Sequence, residues 1–137
     1  METQGYTWEP MTVTTSDGYI LTTFHVTGTK EGGQFTPTMP PVLINHGDNA
    51  DGTSWISDNA GSGKPMHLQL ADAGYDVFIA NNRGTVYSQK HVKYDAASDG
   101  EYWEYTWADM GLYDDTANIT AIKQLTGAQK VFYIGYS

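Results

Sequence analysis

Gly135-Tyr136-Ser137 directly follows the apolar run Lys130–Ile134. Strand, glycine, bulky residue, serine is how the G-x-S-x-G turn opens, a turn that lifts a serine hydroxyl above the C-terminal edge of a parallel sheet. A serine held there attacks an acyl carbonyl once a base takes its proton. G-x-S alone occurs often by chance, so the residues upstream decide what it means. One pair fits: His46-Gly47 ends the apolar run Val42–Asn45. Backbone N–H groups at such a strand end can face a developing oxyanion. A plain turn glycine after a strand explains the same pair.

Other arrangements carry less. Gly61-Ser62-Gly63-Lys64 has the ending of a phosphate-binding loop, but Asp58 stands where that loop needs glycine and Pro65 where it needs Ser or Thr. Asp48–Gly52 resembles a calcium loop, yet registering it on Gly52 puts Gly47, with no side-chain oxygen, at the first ligand. His25, His46, His67 and His91 lack the close pairing of a zinc site. Asn118-Ile119-Thr120 fits a glycosylation sequon but falls in a helical pattern. The aromatic cluster from Tyr102 to Trp107 either packs a long loop on the sheet or lines an apolar pocket. Asp109, Asp114 and Asp115 read as helix-start or surface carboxylates that serve the dipole and solubility.

The elements that must position the serine follow from patterning. Met11–Thr15 and Tyr19–Val26 are β-branched runs around the turn Ser16-Asp17-Gly18, which predicts an antiparallel hairpin. Gly28–Pro41 and Asp48–Gly63 read as loops. Val42–Asn45 and Asp76–Ala80 read as buried strands, and Lys130–Ile134 as the last strand. Pro65–Ala73, with Gly74 as its cap, and Trp107–Leu125, ended by Gly127, read as helices. In the second, Met110, Tyr113, Asp114, Ala117 and Ala121 recur at helical intervals. Asn81–Tyr105 is longer than a simple connection should be. Strands alternating with helices after a hairpin predict an α/β sheet with parallel strands.

At 137 residues the chain is one modest domain. Its 16 acidic against 7 basic residues, a net charge of −9, oppose general binding to nucleic acid or anionic membranes but leave a neutral lipid or ester open. Without cysteine, disulfides and thiolate metal sites are impossible. Met1 is followed by neither a basic nor an apolar region of the export type, and no run reaches the ~20 apolar residues of a membrane span. A soluble chain is expected, either kept inside the cell or already relieved of a signal.

Taken in order, a set of segments resembles the N-terminal part of the acid lipase family, which includes gastric and lysosomal acid lipases. They are Thr15–Leu21, Asn45–Gly47 with Trp55-Ile56, Leu70–Val77, Asn82-Arg83-Gly84, Tyr87-Ser88, Lys90–Val92, the helix carrying Met110 and Tyr113-Asp114, and Tyr133–Ser137. The resemblance implies a truncated α/β-hydrolase over residues 1–137: hairpin, then parallel strands with helices, ending at the nucleophile elbow. It implies Ser137 as nucleophile and the backbone N–H of Asp48 as an oxyanion donor, with His46, Gly47 and Gly135 in support. Members cleave triacylglycerols or steryl esters through an acyl-enzyme without metal or organic cofactor. This chain departs from the family in having Asp48-Asn49 where apolar residues usually follow H-G, and in lacking the triad Asp and His that follow the serine in hydrolase order.

Three accounts remain in view: the front part of a lipase, inactive alone; a non-catalytic binding or structural subunit docking through an exposed sheet edge; and a split enzyme whose partner chain completes the sheet and the triad. In the chain taken alone, the strand ending at Ile134 is expected to present an open apolar edge.

Overall fold

The computed structural model describes residues 5–28, 39–47, 50–56 and 64–137. The β-branched runs pair as expected: β1 (Thr7–Thr14) and β2 (Tyr19–Gly28) form an antiparallel hairpin with Val13 opposite Leu21 and Thr14 opposite Ile20. Its ladder reaches further than the β-branched run suggests, because Thr7–Pro10 pair with the end of β2. Beyond it, β3 (Pro41–Asn45) runs parallel to β4 (Asp76–Ile79) on one side and to β6 (Phe132–Gly135) on the other. β2 joins β4 antiparallel, giving the order β1-β2-β4-β3-β6, and the two-residue β5 (Lys90–His91) adds to the start of β2.

Alternation along β3 and β4 divides the core. Val42, Ile44, Val77 and Ile79 face α2 (Met66–Asp72) and meet Leu68 and Ala71. Leu43, Phe78 and Ala80 face the opposite way and meet Ile122 of a long helical rod. Both faces of these central strands are covered, which is why their sequences read as unbroken apolar runs.

The rod has three parts, α3 (Trp107–Asp109), a π-helical stretch Met110–Asp115 and α4 (Thr116–Thr126). Gly127 closes it at φ 73° with its N–H on the carbonyl of Lys123. The expected helix is there, but its uniform α geometry is not. The wide π turn inserts a residue and brings two consecutive side chains, Asp114 and Asp115, toward the sheet. Asp114 is wholly buried, so its assignment to the surface is corrected. Asn118 is also wholly buried and accepts the Thr23 hydroxyl, which leaves no room for a glycan.

Two expected loops contain structure. The short helix α1 (Thr53–Ile56) lies within Asp48–Gly63, started by Asp51 accepting the Thr53 N–H at 2.8 Å. The long Asn81–Tyr105 connection holds β5 and the 3₁₀ turn Gly100–Trp103. Most of the Gly28–Pro41 loop, Asp48 and Asn49, and the Asp58–Gly63 part of the phosphate-loop pattern lie outside the described residues. Among the described residues no helix is long and apolar enough to cross a membrane.

Candidate active site

β3 and β6 end level with each other: Ile44 pairs with Ile134 and Asn45 with Gly135. Parallel neighbours in register therefore deliver His46-Gly47 and Tyr136-Ser137 to the same place. The Tyr136 N–H reaches the Asn45 carbonyl at 3.3 Å, and the chain then turns sharply. Ser137 has φ +56°, the only positive value at a non-glycine residue among those described. A left-handed conformation costs a side-chain-bearing residue about 1–2 kcal/mol, so the turn must be held from outside.

Two glycines make that possible. A Cβ on Gly47 would lie 3.0 Å from the Tyr136 ring and 3.1 Å from both Ser137 Cβ and the Tyr136 carbonyl oxygen. The turn closes directly on position 47, and only glycine leaves it space. On Gly135 a Cβ would meet the Tyr133 ring at 2.9 Å, since that ring folds along its own strand toward Asp115.

His46 is committed elsewhere. Its Nε2 accepts the Asn82 N–H at 3.0 Å, which leaves the proton on Nδ1, donated to the Gly47 carbonyl at 2.9 Å. With its acceptor nitrogen spent, this imidazole braces the strand end and is not a free base. No other histidine lines the cleft among the described residues. His25 is bound to Asp76 at 2.5 Å and stacked on Phe78, and His91 bonds the hairpin turn and its own loop. Asp48, the expected oxyanion donor, lies outside the described residues.

Beneath the turn is a polar floor that sequence reasoning missed. Asn45 donates to Asp115 Oδ1 at 2.8 Å, to Asn82 Oδ1 at 3.2 Å and to the Tyr133 hydroxyl at 3.2 Å. Its own Oδ1 accepts the His46 N–H at 2.9 Å, so the amide fixes the backbone where β3 ends. The Tyr133 hydroxyl donates to Asp115 Oδ2 at 3.2 Å. Burial raises the Asp115 pKa above the usual carboxylate value, and neighbouring Asp114 adds to this, against the hydrogen bonds from Tyr133 and Asn45. A sequence signal did exist for Asp114, which falls on the apolar stripe of its helix, but none for Asp115.

Arg83 fixes the remaining wall. Its guanidinium, 1% exposed, donates to both oxygens of Asp17 at 2.8 and 2.9 Å and to Asp114 at 2.8 Å, and lies 3.9 Å over Tyr19. Burial works against its charge, but the hydrogen bonds it donates to Asp17 and Asp114 outweigh that and raise its pKa. The hairpin turn, the exit of β4 and the π stretch are thereby tied together.

These elements enclose a cleft of about 1200 Å³ in which Ser137, Gly47, Asn45 and Asp115 meet. Its lining is mixed: Val86, Trp103, Trp107 and Met110 supply apolar surface beside Asp51, Ser54, Thr85 and Gln89, and Trp107 is 82% exposed. The aromatic cluster thus divides: Tyr102 is buried packing against Tyr19, whereas Trp103, Tyr105 and Trp107 line the cleft.

Comparison with known proteins gives the family and the fold. A family model described as a partial α/β-hydrolase lipase region matches residues 1–59, and one for the α/β hydrolase fold matches residues 40–137. The chain is 37% identical to a gastric triacylglycerol lipase of Rattus norvegicus over 133 residues, 97% of this chain and 33% of that protein. It is 34% identical to a putative lysosomal acid lipase/cholesteryl ester hydrolase of Crotalus adamanteus, over 98% of this chain and 33% of that protein. It therefore spans about a third of the length of the curated relatives it matches. The Pyrococcus furiosus esterase Pf2001 shares the fold at 15% identity, with a TM-score of 0.61 over 98% of this chain and 42% of the esterase.

Proposed function

Because the chain belongs to the α/β-hydrolase fold family and its beginning matches the partial lipase region, we propose that it carries the nucleophile of a carboxylic-ester hydrolase acting on neutral lipids. Residues 1–137 are read as one portion of a single hydrolase domain, with triacylglycerols or steryl esters as substrate. The observation that carries this reading is Ser137 at φ +56°, packed on Gly47 at the ends of two in-register parallel strands.

In the proposed reaction Ser137 Oγ attacks the ester carbonyl while its proton passes to a histidine base. The tetrahedral oxyanion takes backbone N–H donors, that of Asp48 among them. Collapse expels the alcohol, which leaves with the proton, and water then hydrolyses the acyl-enzyme. The base and its orienting carboxylate are assigned to the part of the hydrolase that this sequence does not span, because His46, the one histidine at the cleft among the described residues, already spends both nitrogens. The apolar part of the cleft lining, Val86, Trp103, Trp107 and Met110, suits an acyl chain.

The test is hydrolysis of a p-nitrophenyl ester and a triacylglycerol emulsion by the native protein from its source. Serine-dependent turnover is expected, falling by about 10⁴-fold or more in Ser137→Ala. The 137-residue chain alone is expected to be inert. Turnover that survives Ser137→Ala would overturn the assignment of the nucleophile.

A second reading has its own observation. Among the described residues β6 pairs only with β3, and Phe132, Tyr133 and Tyr136 are exposed. A non-catalytic subunit docking a partner chain there would give no turnover in the native protein and a stable complex that strand-edge variants dissolve.

A further inference from the structure

A carboxylate in a cleft needs a counterpart, and Asp115 has only part of one. Asn45 and Tyr133 each give it one hydrogen bond, whereas a carboxylate accepts about four. The one cationic side chain lining the cleft among the described residues, Arg83, is already neutralised by Asp17 and Asp114. Asp115 thus keeps acceptor positions open toward a cleft whose lining also holds Val86, Trp103, Trp107 and Met110. An occupant made only of acyl chains would strip water from this carboxylate and return nothing, which is costly. A second anion would be repelled. What satisfies it is a hydrogen-bond donor at one end of an otherwise apolar molecule.

We propose that Asp115 sets specificity in this cleft by accepting a hydrogen bond from a free hydroxyl on the alcohol portion of the lipid, so that partial acylglycerols bind in preference to fully esterified ones. The alcohol portion is the end of such a lipid that carries hydroxyls, and the acyl chain then lies along Val86, Trp103 and Trp107. This proposal rests on the lipid-ester reading given above and narrows its substrate class. Asn45 links the two ideas physically, since one amide holds both Asp115 and the His46 backbone.

Binding tests it without any need for turnover. The probes are 1-O-hexylglycerol and its bis-O-methyl derivative, a non-hydrolysable pair that differs in hydroxyl donors and two methyl groups. Each is titrated into the full chain below micelle-forming concentration, with binding read from amide chemical shifts. The hydroxyl-bearing ether is expected to bind about tenfold more tightly, the range of one hydrogen bond to a charged acceptor. Asp115→Asn, which keeps the side-chain volume and can still engage Asn45 and Tyr133, is expected to reduce that preference to twofold or less, with its fold checked in the same spectra. Equal binding of the two ethers, binding of neither, or a preference untouched by Asp115→Asn would overturn the proposal. An Asp115-dependent preference in a protein that hydrolyses no ester would support it while overturning the hydrolase reading.

Discussion

Arg83 shows how much of the site depends on one charge that never meets water. Two carboxylates from distant segments, Asp17 in the hairpin turn and Asp114 in the π stretch, converge on a guanidinium that is 1% exposed. Removing Arg83 leaves Asp114 buried and uncompensated, so Arg83→Met is expected to cost about 3–5 kcal/mol in urea unfolding. Arg83→Lys should recover only part of this, because an ammonium cannot fork to both carboxylates as a guanidinium does. Adding Asp114→Leu to Arg83→Met should restore more stability than either single change predicts, the signature of coupling. A loss under 1 kcal/mol for Arg83→Met would refute the hub. In the sequence Arg83 stood out only as part of a resembling Asn-Arg-Gly triplet, and Asp114 looked like a surface acid. Pairing across 31 and 66 residues leaves no local trace.

At the scale of elements, the sequence was legible wherever burial imposes a period. The hairpin, β3, β4, α2 and the rod all fall where patterning put them. Elements that exist only through a distant partner were not legible. β5 is two residues given order by the start of β2, and α1 follows Gly52, whose N–H is held by Asn81 at 2.8 Å. In α2 the buried set is His67, Leu68 and Ala71, so the face is rotated and turns a histidine inward. His67 has no exposure, and among the described residues neither ring nitrogen makes a well-formed hydrogen bond. Burial holds its pKa down to about 4, against a smaller upward pull from the Trp55 backbone and none from any charged side chain among the described residues. Because the folded value lies below the unfolded 6.5, the unfolded state binds the proton first. Stability is therefore full above pH ~6.5 and lost as pH falls through about 4, by about 3 kcal/mol from this residue. Urea midpoints at pH 7.5 and pH 4 measure it. His67→Leu should flatten the difference by that amount, and an equal acid loss in wild type and variant would show that His67 is not the cause.

Across the whole molecule, the two edges of the sheet are protected unequally. β1 carries Glu9 and Pro10 on its edge, and proline cannot extend a ladder. β6 reads Phe-Tyr-Ile-Gly with neither charge nor proline, and Phe132 is 61% exposed, with Tyr75 its single aromatic neighbour among the described residues. Unpaired strand N–H and C=O groups beside exposed rings form a template for a further strand. Opposing this is the net charge of −9, which keeps copies of the chain apart at low ionic strength. The two effects differ in their response to salt: screening weakens charge repulsion and leaves strand pairing and apolar contact intact. The purified chain is therefore expected to self-associate as concentration rises, and more strongly at 0.5 M than at 0.02 M NaCl, in sedimentation velocity. Phe132→Lys places a charge on the edge at little cost to the fold, since the side chain is mostly in solvent, and should return the chain to monomer under the same conditions. A chain that stays monomeric at high salt, or a Phe132→Lys variant that associates as before, would mean the association does not run through β6. The same edge variant then serves the docking question: a partner lost with Phe132→Lys but retained with Asp115→Asn binds the sheet edge and not the cleft.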